Sequence, residues 1–72
     1  MKLPRDVSGW DVVKVLCKNG WTMHGQKGSH MHLYDSDKQI IQVPMHKYLK
    51  PGTLLTIIER SGIPKDEFLA AL

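Results

Sequence analysis

The sequence predicts an α+β fold, a three-stranded antiparallel sheet with helices packed on one face. Three observations predict it. Apolar residues recur at helical spacing near the amino end and again in the last third of the chain. Between those stretches the period falls to two, over roughly residues 21 to 43. Two short polar turns divide this middle part, and two tight hairpins in succession make an antiparallel meander. At 72 residues the chain has room for one small domain, spanning 1–72.

The first helix is predicted over Ser8 to Asn19. Ser8 caps its orphan N–H groups, Asp11 stands three positions on as the partner in a capping box, and Val7 is placed to staple against Val12. Val12/Leu16 and Val13/Cys17 form the inward stripe, and Asn19-Gly20 supplies a left-handed stop. Cys17 therefore reads as a small buried hydrophobe. Trp21 and Met23 alternate with Thr22 and His24 in a first strand, and Gln26 to Ser29 form a turn. His30 to Tyr34 is a second strand, with Met31 and Leu33 on one face and His30, His32 and Tyr34 on the other. After the polar turn Asp35 to Lys38, Gln39 to Val43 is a third strand, ended by Pro44, which has no N–H for a ladder.

Met45 to Lys50 connects to a second helix that starts at Pro51, with Lys50 a poor cap, and stops at Gly62. Its apolar stripe is Leu54, Leu55, Ile57 and Ile58. Pro64 opens a short last helix with Phe68, Leu69 and Leu72 inward. The helices then cover Trp21, Met23, Met31, Leu33, Ile41 and Val43. The open face displays Thr22, His24, Gln26, His30, His32, Tyr34, Gln42 and one large aliphatic, Ile40. Trp10 and Trp21 are read as core or core-edge residues.

Composition excludes several functions. Ten Lys and Arg against seven Asp and Glu leave a net charge of +3, a mild bias toward polyanionic partners. One cysteine excludes an internal disulfide and a four-thiolate zinc site. No stretch approaches the ~18 apolar residues of a membrane span. Met1 to Asp6 lacks the apolar core of a secretion signal, so a cytoplasmic location is expected.

Four histidines are the most informative feature, and three of them, His24, His30 and His32, fall within nine residues. Histidine is the side chain whose proton comes and goes near neutral pH. Three readings stay open on spacing alone. The imidazoles are solvated surface groups; or His30 and His32 share an ion with His24 or His46, although no Asp, Glu or Cys stands at a companion spacing; or one of them works on RNA. Metal-free cleavage of RNA needs a base for the ribose 2′-OH and cationic or N–H donors for the phosphate. Lys27-Gly28-Ser29-His30 holds those types in one turn: a charge, a backbone that lets a ligand come close, a hydroxyl and amide, and an imidazole.

These segments resemble the HicA (YcfA-like) toxin family of bacterial toxin–antitoxin systems. The likeness runs through Val13, Leu16 and Asn19-Gly20-Trp21, through Gln26-Lys27-Gly28-Ser29-His30 to Tyr34, and through Val43-Pro44-Met45-His46. It continues in Gly52-Thr53-Leu54 to Ile58, Ser61-Gly62-Ile63 and Glu67-Phe68-Leu69. The resemblance implies an α-β-β-β-α fold like that of double-stranded-RNA-binding domains. It implies an endoribonuclease that cleaves mRNA with no cofactor and no metal, with His30 as its one catalytic histidine. Lys27, Gly28 and Ser29 become RNA-positioning residues, and His32, on the same strand face, is counted with them. The implied partner is a HicB-type antitoxin that covers the active face, any oligomer forming through that complex. The chain departs from the family where basic residues often precede the Gln-Lys pair: here stand His24-Gly25. The alternative function is a non-catalytic RNA-binding module that reads A-form shape from the same face.

Overall fold

The computed structural model describes residues 6–72. The reading of Met1 to Asp6 as lacking a signal lies largely outside them. The elements are α1 (Gly9–Lys18), β1 (Thr22–Lys27), β2 (His30–Tyr34), β3 (Ile40–Pro44), α2 (Pro51–Ser61) and α3 (Lys65–Ala70). The strands form one antiparallel sheet in the order β1-β2-β3, so β2 is central and both of its neighbours are edges. No described helix is long and apolar enough to cross a membrane.

The start of α1 is the predicted capping box. The Asp11 N–H donates to Ser8 Oγ at 3.2 Å, and the Ser8 N–H donates to Asp11 Oδ2 at 3.0 Å. That N–H holds the Asp11 carboxyl below the usual carboxylate range. Partial burial works the other way, and the Ser8 hydroxyl and the Lys14 charge add to the lowering. Asn19 is the C-cap, and its side-chain amide donates to Val15 O at 2.8 Å.

The stripe that α1 buries is Val12, Val13, Val15 and Leu16, while Cys17 is exposed. This corrects the expectation of a buried Cys17. At 100° per residue the stripe centres between Val12 and Leu16, leaving Val13 and Val15 about 80° to either side and Cys17 about 120° away. Trp10 is likewise not a core-edge residue but 51% exposed, whereas Trp21 is buried as expected.

The core is built where alternation predicts it on β2 and β3. Met31 and Leu33 from β2 and Ile41 and Val43 from β3 are buried against α1, against Leu54, Ile57 and Ile58 of α2 and against Phe68 of α3. Leu55 is half-buried at the edge of this stripe, as is Leu69; Leu72 is exposed rather than inward. Pro44 belongs to β3 as its last residue, paired with His30, and Gln39 falls in the turn instead. Its N–H donates to Asp35 Oδ1 at 2.8 Å, and the Asp37 N–H shares the same oxygen at 3.0 Å. Gly62 ends α2 in the left-handed region, φ 75°.

The loop from Met45 to Lys50 is laced down by backbone bonds. The Gly9 N–H donates to His46 O at 3.0 Å, the Leu49 N–H to Val7 O at 2.8 Å, and the Met45 N–H to Ser29 O at 2.6 Å. Gly9 is buried in this seam, and a Cβ there would run into Pro44 O and stand 2.8 Å from Met45 Cα. Gly9→Ala ordinarily favours a helix by up to ~1 kcal/mol. Here the obstacles are backbone atoms, and the expected outcome is destabilisation by roughly 1–3 kcal/mol, read as a lower urea midpoint. An unchanged or higher midpoint would show that α1 shifts freely against the loop.

Candidate functional site

The hairpin of β1 and β2 is where the structure departs most from simple alternation. Met23 pairs with Leu33, but Gly25, not His24, pairs with His32, so His24 is the extra residue of a β-bulge. Gly25 carries this bulge at φ 124°, a region other residues rarely enter. The bulge reverses the facing of everything after it. Gln26 pairs with buried Met31 and so leaves the open face, while Lys27 pairs with His30 and joins it. This corrects two expectations: Gln26 does not belong to the displayed set, and Lys27 is a strand residue rather than part of the turn. Met23 is corrected as well, being 47% exposed on a strand none of whose residues is buried.

The turn itself is only Gly28-Ser29. Gly28 has φ 57° at the first central position, where two-residue hairpins of the II′ kind take glycine. Gln26 finds a different use from the one expected, as its side-chain amide donates to Gly28 O at 2.9 Å and braces the turn. The bond from the Met45 N–H to Ser29 O carries the β2–β3 ladder one step past the His30–Pro44 pair. His30 thus sits at the start of the central strand with a paired neighbour on each side. Among the described residues the Gly28 and Ser29 N–H groups donate to no backbone carbonyl.

Lys27, Gly28, Ser29 and His30 are all exposed at this tip, and His32 is half-buried two pairs further in. Directly opposite residues in a ladder hold their Cβ atoms ~4.5–5.5 Å apart, which sets the Lys27 and His30 side chains side by side. His46 is exposed one residue beyond Met45, on the loop tied to the tip, and contributes its carbonyl to Gly9. His24 lies with its ring centroid 4.4 Å from that of Tyr34, the planes tilted by 39°. Next to this pair a concavity of about 370 Å³ opens over Gly25, lined also by Gln26, Lys27 and His32. A second one, of about 360 Å³, lies between α2 and α3 and has no imidazole in its wall. Among the described residues no three of His, Cys, Asp and Glu are grouped as an ion would require.

The uncovered face therefore gathers the sequence-predicted residues His30, Lys27, Gly28, Ser29 and His32. It adds Gly25, which the sequence showed only as part of the His24-Gly25 departure from the family pattern. The signal for it was present, since an isolated glycine inside a strand pattern marks a bulge. Chemically the tip offers an imidazole, an ammonium and exposed amides on a solvent-open surface, the groups that act on a phosphodiester.

The chain matches the family model described as the HicA toxin of bacterial toxin–antitoxin systems over residues 9–63, from the start of α1 to just beyond α2. The hairpin, the bulge and the whole open face lie within the match. Among curated proteins none matches the chain.

Proposed function

Because the chain belongs to the HicA toxin family of bacterial toxin–antitoxin systems, we propose that it is an endoribonuclease toxin that cleaves mRNA in the cytoplasm and is inhibited by a HicB-type antitoxin. The observation that carries this reading is the register of the bulged hairpin, which sets Lys27 across from His30 on the uncovered face. His30 takes the proton of a ribose 2′-OH, and that oxygen attacks the adjacent phosphorus as the bond to the leaving 5′-oxygen breaks. The Lys27 ammonium and the Gly28 and Ser29 N–H groups face the negative charge that grows on the phosphate oxygens. His32 lies one step further along the strand face and contacts the same strand of RNA.

Nothing in this scheme requires a metal ion, and among the described residues no third ligand is gathered beside the His30–His32 pair. A HicB-type antitoxin inhibits simply by occupying the sheet face, because every group of the tip is reached from solvent on that side.

The test is cleavage of a short RNA by the purified chain in EDTA. Strand scission is expected to persist with the chelator and to vanish when each 2′-OH is replaced by 2′-O-methyl. Loss of activity in EDTA, restored by a divalent ion, would overturn the metal-free scheme. Scission of the 2′-O-methyl strand would overturn the attack by the ribose oxygen.

A further inference from the structure

We propose that the concavity over Gly25 receives one unstacked nucleobase, laid against the His24–Tyr34 ring pair, so that the RNA bound at the tip is single-stranded. This rests on RNA being the ligand of the open face, as argued above. Three observations converge on it. The bulge turns His24 toward Tyr34, bringing an imidazole and a phenol within 4.4 Å of one another on the open face. Gly25 provides a floor without a side chain, and the space where its Cβ would stand is empty to at least 4 Å. Lys27 and His32 close the other sides, leaving a recess walled by rings and a cation.

A recess of that composition suits a flat, polar-edged aromatic ring. Bases splayed from a single strand stack on tyrosine and histidine, whereas the faces of bases in an A-form helix are covered by their neighbours. Along β1, Gly25 and Lys27 are two residues apart, ~6.8 Å, a span of the order of one sugar. A base over Gly25 thus brings its own phosphate to Lys27 and His30. The arrangement assigns His24 and Tyr34 a part in choosing the substrate, separate from the chemistry at the tip. It also argues against an A-form reader, although the fold is shared with double-strand binders.

The test is binding to the full chain carrying His30→Ala, so that no probe is consumed. The probes are a fluorescent oligouridine RNA, the same ribose–phosphate strand without bases, and the oligouridine annealed to oligoadenosine. Oligouridine is expected to bind ~10-fold more tightly than the abasic strand, and the duplex no more tightly than the abasic strand. Adding His24→Ala or Tyr34→Ala should erase most of that preference, and Tyr34→Phe should keep it. Lys27→Ala should weaken both single strands alike and lower the salt slope by ~1. Tyr34 is half-buried, so if Tyr34→Ala does not fold, the exposed His24 carries the comparison. An unchanged preference in His24→Ala, or duplex binding equal to that of oligouridine, overturns the subsite while leaving RNA as the ligand. Failure of every probe to bind overturns both.

Discussion

Replacing His30 by alanine is expected to slow RNA cleavage by ~10²–10⁴-fold, the contribution of a positioned general acid or base. That corresponds to roughly 3–5 kcal/mol on the barrier. Stability should change little, because the side chain is exposed and the residue's place in the sheet rests on backbone pairing with Lys27 and Pro44. The measurement is single-turnover cleavage of a short RNA beside thermal unfolding of both proteins. Removing the imidazole leaves Lys27 and the turn amides in place, so RNA binding should survive. A variant that cleaves at the wild-type rate would move the chemistry off His30. One that binds RNA normally, from a wild type that also cuts nothing, would favour a pure binding module.

The largest expected effect on stability is at the opposite side of the molecule. Phe68 has no exposed surface and leads the fully buried side chains in volume. It stands on α3, a helix of six residues with no side-chain cap, which holds its place through that ring. Phe68→Ala is expected to cost roughly 3–5 kcal/mol in lost transfer energy and cavity. For a chain of 72 residues the whole stability is only ~4–11 kcal/mol at typical values per residue. Thermal unfolding should therefore fall by more than ~12 °C, and α3 should lose its helical signal first. A shift of only a few degrees would mean that α3 is an appendage to a core completed by α1, α2 and the sheet. The outcome matters because α3 lies beyond the residues matched by the family model.

Much of this architecture can be read from local chemistry. Ser8 and Asp11, Asn19, Pro51 and Gly62 mark helix ends because each supplies a group or a backbone conformation that the end needs, and all act within a turn of the chain. Alternation on β2 and β3 is equally legible, since both strands are covered on one side only. What was not legible depends on pairing between strands. A single extra residue at His24 reverses the facing of Gln26 and Lys27, and alternation carries no trace of it beyond the glycine that follows. Met23 and Cys17 fail for a related reason. Both have the composition of core residues, but one sits on a strand with no buried residue and the other at the margin of its helix's buried stripe. The two-residue turn sets Lys27 across from His30, and the bulge gives both a place on the face that His24 and Tyr34 share.

The most direct measurement is growth of cells after induced expression of the wild-type chain beside His30→Ala, with total mRNA followed over time. Growth arrest and loss of mRNA with the wild type, and neither with a folded His30→Ala protein, is the predicted result. Arrest by both proteins, or unhindered growth and intact mRNA with both, would contradict the assignment of an RNA-cleaving histidine to this face.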